Sequence, residues 1–497
     1  MRWRRASVCL AWAVAALFVA TSAARLVPVV RDHLAATFDL MSEGPHMSTV
    51  KALERGDDIY DPRSFLDLPF YMTPYTPLYH VVVAALPQRA GNPFFTGRVV
   101  AALCMLAAAA SLLFVAGRGQ LPTALIALAA FFLIRAVTDN TAYLRSDALA
   151  LCFSVWAVAL VMRARSARAT VAVGALCALG FAAKQSYVAA AAACCLYLLA
   201  ADVRRAGWLV LGGAATGALC AAAAWATWGN GFWLAVTIPI TDYPRDLQAC
   251  LLHWRMMLAQ PVFLAIVAIA LAAIVPGWRV ALRSPFLAYA LLAWAAGAWV
   301  STGVGAENHD LIEPVLATLL WIVFVARHRR ETVALDWPWV LAVTVLAFAV
   351  AREMRNPDRA SYSHTNPAAT ARYLEARERT TAALRAFGVE HGAKLNLKNS
   401  QIAQDFENVA VNDVWMYIQV LWNTRPETTE RLVRAIEAER FDAILTAPGV
   451  VSAAHDPPDT PWGRIVHAVF AHYAVAYHGE QVNVLTRLRD GARPRAG

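Results

Sequence analysis

The sequence is poor in charged residues: they make up 16% of its 497 residues, whereas 59% are hydrophobic. Roughly a quarter of a soluble domain is charged, so this composition excludes an ordinary soluble protein. Charge is especially sparse between residues 97 and 352, whereas 353–497 has the composition of a soluble domain. We therefore expect an α-helical polytopic membrane protein over residues 1–352 and a small soluble α/β domain over 353–497.

Metal-binding cysteine patterns and nucleotide-binding loops are also missing. The eight cysteines have no metal-ligand spacing and seven of them lie in apolar segments, which excludes a disulfide framework. No Gly-rich phosphate loop occurs, so a nucleotide donor has no support. The net charge of +9 comes mostly from short Arg clusters beside apolar segments. Membrane topology explains such clusters, and we expect no nucleic-acid partner.

Eleven apolar segments approach the length of about 20 residues that a membrane helix needs. We interpret the first as an uncleaved helix, although residues 1–24 also resemble a secretory signal. The segments are 7–30, 97–116, 121–137, 146–163, 169–183, 185–201, 206–228, 258–277, 284–302, 310–327 and 334–352.

Clusters of Arg mark the cytoplasmic side of a membrane protein, and they place the N-terminus inside. The later clusters agree with this only if the short apolar segment 76–88 does not cross. We therefore interpret 76–88 as a juxtamembrane or re-entrant segment on the outer face. Eleven crossings then place the C-terminal domain outside, and we expect a multi-pass protein of the cell (inner) membrane.

The first loop, residues 31–76, is long for a simple connection between helices and rich in carboxylates. Asp39 and Glu43 are four residues apart, so a continuing helical turn would place them on one face. A carboxylate at the membrane interface can act as a general base toward an acceptor hydroxyl or amine. The alternative is a solvated acidic surface.

Further ionisable residues interrupt the apolar segments on the predicted outer side, where such residues are functional candidates. Arg145 and Lys184 suit a phosphate, whereas Asn308 and Glu313 suit sugar hydroxyls. His309 fits a hydrogen-bonding partner better than a metal ligand. The alternatives are an interfacial Arg145–Asp147 ion pair and a simple turn at Lys184. The candidate substrate-binding residues are Tyr75, Tyr79, Arg145, Asp147, Lys184, Gln185, Asn308, His309 and Glu313.

Basic residues and carboxylates at the outer leaflet suit a substrate that has both a phosphate and a lipid tail. The order of the motifs resembles that of bacterial membrane glycosyltransferases of the GT-C fold, related to protein O-mannosyltransferases and lipid A aminoarabinose transferases. The motifs are Ser42-Glu43-Gly44-Pro45, Gly56 with Ile59-Tyr60, Tyr75-Thr76-Pro77-Leu78-Tyr79, Gly97-Arg98, Arg145-Ser146-Asp147-Ala148-Leu149, Lys184-Gln185, and Asn308 with Leu311-Ile312-Glu313.

The resemblance implies a polyprenyl-phosphate-linked sugar donor, a lipid or glycan acceptor on the outer side, and a first-loop carboxylate as the catalytic base. Many relatives have Asp-Glu where this chain has Ser42-Glu43, which leaves Glu43 as the matching acid and Asp39 as the reserve. Some relatives bind a divalent cation near this site, but nothing in this sequence requires one. Lys184 and Arg145 would neutralise the departing phosphate.

Two other functions fit a membrane protein with outer polar groups. A transporter or lipid flippase is disfavoured because the sequence has no inverted repeat. A non-catalytic scaffold in envelope polysaccharide assembly stays open because of Ser42. The C-terminal segment shows no catalytic constellation, and its predicted role is to cover the membrane cavity or bind the acceptor. Its predicted strands are Lys394–Leu397, Asp442–Thr446, Ala474–Tyr477 and Val482–Thr486, and its predicted helices are 367–387, 411–422 and 426–439.

Overall fold

A computed structural model describes most of the chain, and the statements below concern the described residues. These are 2–40, 43–241, 244–281, 284–303, 308–329, 337–354, 367–397, 406, 408–411, 417, 424–450 and 457–488.

Each of the eleven predicted apolar segments contains a helix. Apolar side chains from these helices form one continuous core that runs through the bundle. The helices are α1 (Arg2–Ala35), α5 (Phe95–Ala116), α6 (Leu121–Leu133), α8 (Asp147–Val161), α9 (Ala167–Ala183), α10 (Ala189–Ala201), α11 (Val203–Thr241), α13 (Pro261–Ala281), α14 (Pro285–Val300), α15 (Ile312–Arg329) and α16 (Trp337–Met354).

Four of the described helical spans are long and apolar enough to cross a membrane by length and composition: Val8–Ala35, Phe95–Ala116, Val203–Ile238 and His309–His328. A pair of helices that bends by 90°, Cys250–Leu258 with Pro261–Ala273, would make a fifth. The remaining apolar helices are shorter. The protein therefore has the helices of a multi-pass membrane protein, and the number of eleven crossings stays a prediction.

The connecting helices are short. Segment 76–88 contains only α4 (Leu78–Ala84), whose seven residues extend about 10 Å, far less than a bilayer needs. This length agrees with the interpretation that 76–88 does not cross. The other short helices are α2 (Gly44–Arg55), α3 (Pro62–Leu66), α7 (Arg135–Asn140) and α12 (Leu247–Leu258).

Helix α11 is broken at Gly229, whose φ of 59° is a left-handed conformation that favours glycine. The part after the break packs against the first loop, where Phe232 and Val236 contact Ile59 and Tyr60. The break therefore separates the predicted spanning part of α11 from a part that supports the first loop.

The C-terminal segment forms a five-stranded mixed sheet with strand order β2-β1-β3-β5-β4. Strand β1 is parallel to β2 and β3, and β5 is antiparallel to β3 and β4. The strands are β1 (Lys394–Leu397), β2 (Val409–Ala410), β3 (Ala443–Thr446), β4 (Tyr473–Tyr477) and β5 (Asn483–Arg487).

Three helices accompany this sheet: α17 (Pro367–Ala386), α18 (Pro426–Glu437) and α19 (Pro461–His472). Four predicted strands coincide with β1, β3, β4 and β5, and two predicted helices coincide with α17 and α18. Strand β2 and helix α19 were not predicted. The helix predicted at 411–422 lies mostly outside the described residues.

The first loop packs directly against the C-terminal sheet. Phe65 and Phe70 share an apolar core with residues of the sheet and its helices. Two hydrogen bonds join the same surfaces: the Val411 N–H donates to the Pro69 carbonyl at 2.8 Å, and the Tyr417 hydroxyl donates to the Phe65 carbonyl at 2.9 Å. The sheet therefore covers the first loop.

We predict that Phe65→Ala loosens this interface, because it removes an aromatic side chain that is only 1% exposed. The expected loss of stability is about 3–5 kcal/mol, measured as a lower thermal midpoint of the purified protein. Phe387→Ala removes a 43% exposed ring and serves as the matched control. Equal midpoints for the two variants would contradict the packing described here.

Candidate functional site

Arg98 makes five hydrogen bonds through its side chain near the first loop, and it is fully buried. Its guanidinium donates to the carbonyls of His33 at 2.8 Å, Ala36 and Phe38 at 2.7 Å. Its Nε donates to Glu43 Oε1 at 2.9 Å, and its NH2 group pairs with Glu43 Oε2. All five N–H donors are used, so Arg98 ties the end of α1 and the first loop to α5.

Glu43 is buried beside Arg98 and accepts four hydrogen bonds. Besides the two from Arg98, its carboxylate accepts the Leu40 N–H at 3.1 Å and the Leu144 N–H at 2.6 Å. Burial by itself would raise the pKa of Glu43, but the charge and hydrogen bonds of Arg98 outweigh burial and hold it below its ordinary value. Glu43 is therefore an anion that joins the first loop to the segment carrying Arg145.

Asp39 lies close to Glu43, although not in the way that the sequence suggested. Helix α1 ends at Ala35, so no continuous helical turn joins the two carboxylates. Instead Asp39 accepts the N–H groups of Glu43 and Gly44, each at 2.9 Å, at the start of α2. Burial and then the charge of Glu43 raise the pKa of Asp39 to about 6.

Gly97 explains how Leu144 reaches Glu43. A Cβ atom at position 97 would lie 2.4 Å from Cγ of Leu144, so only glycine fits there without displacing it. The carbonyl of Gly97 also accepts the Tyr79 hydroxyl at 3.0 Å. The Gly97-Arg98 pair therefore positions both the first loop and the segment at 143–147.

Five ionisable side chains from three parts of the chain form what we call the polar cluster. It consists of two cations, two carboxylates and one imidazole, and all five side chains are nearly buried. Its members are Arg145, Asp147, Lys184, His309 and Asp310.

In the polar cluster, Lys184 Nζ lies 2.6 Å from Asp147 Oδ1 and 3.6 Å from Asp310 Oδ1. Arg145 donates to Nδ1 of His309 at 2.7 Å. A neutral His309 therefore carries its proton on Nε2, which lies 3.4 Å from Asp310 and 3.9 Å from Asp147. The two cations lie in a dry environment, where their attraction for an anion is strong.

Asp147, His309 and Asp310 place one ligand atom each within 4.8 Å of one another, a set compatible with a divalent cation. The ammonium group of Lys184 lies between the two carboxylates, however, and already supplies positive charge there. A metal ion would compete with Lys184 for the same oxygens, so these residues fit a divalent cation only if Lys184 moves away.

The remaining predicted residues lie around this cluster. The side chain of Gln185 donates to the Pro74 carbonyl at 2.8 Å and accepts the Thr76 N–H at 3.4 Å. Tyr75 lies beneath Lys184, whose Nζ is 5.8 Å from the ring centroid. Gln185 and Tyr75 therefore bring the end of the first loop to the polar cluster.

Glu313 lies in α15, less than one turn after Asp310, and accepts the Tyr289 hydroxyl at 3.0 Å. Asn308 begins the 3-10 helix Asn308–Leu311, and its side chain lies outside the described part of the chain. Tyr79 is fully buried, with its hydroxyl bonded to Gly97.

The structure also brings together residues that the sequence analysis did not select. Arg98 belongs to one of the predicted motifs but was not predicted as a site residue. A lone Arg inside the apolar run 97–116 is itself a sign of a functional residue. His46 and His80 pack together beside Tyr75. No local sequence pattern predicts this pair, because the two residues come from different helices.

A cavity of about 210 Å³ lies between α2, residues 91–94 and α17, and Lys51 and Arg377 are among its lining residues. The α2 residues that line it are Gly44, Met47, Ser48 and Lys51, and helical geometry places His46 on the opposite face. The residues that line the cavity include no member of the polar cluster, so the two are separate.

We predict that Arg98→Met destabilises the protein by about 3–5 kcal/mol, because it leaves Glu43 buried without its counter-charge. The double variant Arg98→Met/Glu43→Gln should recover part of this loss. The control is Arg63→Met, since the side chain of Arg63 is 91% exposed and its ion pair contributes about 1 kcal/mol or less. The stability of all three variants is measured as the thermal midpoint of unfolding. A wild-type midpoint for Arg98→Met would contradict the role given to the pair.

The chain matches no family model, and no curated protein sequence matches it. Its structure is similar to that of ArnT from Cupriavidus metallidurans bound to undecaprenyl phosphate, with a TM-score of 0.61 and 12% identity over 97% of this chain and 99% of ArnT.

The archaeal oligosaccharyltransferase AglB from Archaeoglobus fulgidus, in complex with an inhibitory peptide and a dolichol-phosphate, gives a TM-score of 0.57 at 10% identity. That match covers 93% of this chain and 72% of AglB. Both proteins are GT-C glycosyltransferases. At such low identity the likeness concerns the fold. It confirms the architecture that the ordered motifs implied: this chain has the GT-C fold.

Proposed function

We propose that the protein is a membrane glycosyltransferase that moves a hexose or pentose from a polyprenyl-phosphate-linked donor to a lipid or glycan acceptor of the cell envelope. The observation that carries this proposal is the buried pair of cations in the polar cluster, Arg145 and Lys184, set in a GT-C fold. Two solved proteins of the same fold are described with undecaprenyl phosphate and with a dolichol-phosphate.

The polar cluster suits a lipid phosphate because it lies where apolar helices end. Asp147 begins α8, and Lys184 directly follows α9. A lipid tail can stay among the apolar side chains while its phosphate reaches Arg145 and Lys184. As the bond between the sugar and the phosphate breaks, negative charge develops on the phosphate. Both cations therefore stabilise the transition state more strongly than they stabilise the bound donor. A single displacement inverts the anomeric carbon.

The sugar would lie between the phosphate and the first loop. Tyr75 offers an aromatic surface, while Glu313 and Asn308 are the predicted partners for its hydroxyls. Glu43 and Asp39 stay the predicted candidates for the base. Both carboxylates already accept several hydrogen bonds from the protein itself, which favours a positioning role. Lys184 supplies the positive charge, so we expect the reaction to proceed without a divalent cation.

We predict that Lys184→Met lowers the rate of donor cleavage by about a hundredfold or more. The assay measures undecaprenyl phosphate released from undecaprenyl-phosphate-linked hexoses or pentoses by the protein in lipid vesicles, with an envelope glycolipid fraction as acceptor. Lys184→Arg keeps the charge and should keep part of the rate. Lys51→Met removes an exposed lysine on the face of α2 opposite to His46 and should leave the rate unchanged.

The same assay separates the alternative functions. A flippase would move the lipid-linked sugar across the vesicle membrane without releasing undecaprenyl phosphate, and a scaffold would do neither. If the wild-type protein releases no lipid phosphate with any of these donors, the proposed function is wrong. Activity that survives the chelator EDTA would support the role of Lys184, and complete loss would point to a metal at Asp147, His309 and Asp310.

The proposed reaction requires the first loop and the C-terminal sheet on the outer face. We predict that a cysteine introduced at Glu54, an exposed position of α2, reacts with a membrane-impermeant maleimide in intact cells, in a background without native cysteines. A cysteine at Arg204, an exposed position in the first turn of α11, should react only after the cells are opened. The reverse pattern would exclude chemistry on the outer side.

A further inference from the structure

Two buried histidines, His46 in α2 and His80 in α4, have no part in the proposed phosphate site. Nδ1 of His46 and Nε2 of His80 are 2.9 Å apart, within hydrogen-bonding distance. His46 is 6% exposed and His80 is not exposed at all. Since Arg98 and Glu43 fix the first loop that carries α2, the pair is held on a rigid support.

His46 lies beside the proposed phosphate site. Its ring stacks on Tyr75 with centroids 5.0 Å apart, and Lys184 Nζ lies 5.8 Å from the centroid of the same Tyr75 ring. One aromatic ring therefore separates His46 from the cation proposed to bind the phosphate. With the sugar between the phosphate and the first loop, as proposed above, His46 lies on the side of the site from which an acceptor would approach.

Both histidines are neutral at neutral pH. Burial lowers the pKa of His46 well below its ordinary value, and electrostatic interactions with His80, Arg145 and Lys184 lower it further, opposed by Asp147. Burial lowers the pKa of His80 to about 3. A neutral imidazole has one donor nitrogen and one acceptor nitrogen. One of the two rings therefore donates the hydrogen bond between them.

The role argued here requires that Nδ1 of His46 donates to Nε2 of His80, which places the proton of His80 on its Nδ1 and leaves a lone pair on Nε2 of His46. Among the described residues, Nε2 of His46 has no hydrogen-bond partner. The carboxylates of Glu43 and Asp39, in contrast, are bound by Arg98 and by backbone N–H groups. With this tautomer, a ring nitrogen of His46 is available to accept a proton, whereas the oxygens of Glu43 and Asp39 are occupied.

We propose that Nε2 of His46 is the general base that takes the proton from the acceptor, a hydroxyl or amine, and that His80 is the positioning residue that holds its ring. This proposal rests on the proposed glycosyl transfer and names its base. The acceptor O–H or N–H bond breaks as its heteroatom bonds the anomeric carbon. The bond from that carbon to the phosphate oxygen breaks, and the polyprenyl phosphate leaves with the electron pair.

The donor itself would activate this base. A bound phosphate adds negative charge beside Lys184 and Arg145, and negative charge nearby favours protonated imidazole. His46 therefore becomes a stronger base when the donor is in place. After transfer, the imidazolium hydrogen bonds to His80 and returns its proton to water. The ionisable groups that face His46 are His80, Tyr75, Tyr79, Arg145, Asp147 and Lys184.

The test uses His46→Ala in the vesicle assay with saturating undecaprenyl-phosphate-linked donor. We expect transfer to fall by about a hundredfold or more, donor binding to stay unchanged, and added imidazole to restore part of the rate. In the wild type, the rate should rise with pH through one ionisation, and His46→Gln should abolish that rise. His478→Ala, at an exposed position of the C-terminal segment, is the matched control.

The possible outcomes distinguish a failure of this proposal from a failure of the proposed function. No transfer by the wild-type protein overturns the function itself. Wild-type transfer with an undiminished rate in His46→Ala overturns the role of His46, as does a loss that imidazole does not restore while the pH profile stays unchanged. If His46→Ala does not fold, the pH profile of His46→Gln decides. Loss of the pH-dependent step in Asp39→Asn, with the step kept in His46→Gln, would make Asp39 the base.

Discussion

The buried ion pair between Arg98 and Glu43 is the interaction on which the candidate site depends. Arg98 uses all five of its N–H donors, three bonds going to carbonyls around the end of α1 and two to Glu43. Glu43 also accepts the Leu144 N–H, next to Arg145. A buried ion pair contributes little net stability, but the loss of one partner is severe. Its effect here is to fix three chain segments in one arrangement.

The polar cluster follows from that arrangement. Its two carboxylates balance its two cations, so the site can be buried without a large uncompensated charge. A phosphate would compete with Asp147 and Asp310 for Lys184. In the proposed reaction, this competition would let the same lysine balance the two carboxylates in the free protein and then the departing lipid phosphate. Functional side chains held in a dry, prearranged site need little reorganisation when charge develops.

The C-terminal sheet acts on the site through the first loop. The core shared by Phe65, Phe70 and the sheet holds the far end of a long connection that has only short helices of its own. Long loops are costly to order and are usually mobile. The sheet therefore restricts the motion of the first loop at one end, and Arg98 of α5 restricts it at the other.

The sequence by itself determined the class of the protein, because an apolar helix in lipid must satisfy its backbone internally and leaves a clear hydropathy signal. It also indicated Arg145, Asp147, Lys184 and His309, since ionisable residues in apolar segments are costly. Only the tertiary structure decided which of these residues meet. It bound Glu43 to Arg98 across 55 positions and set His46 against His80 across 34, and no local periodicity encodes such pairings.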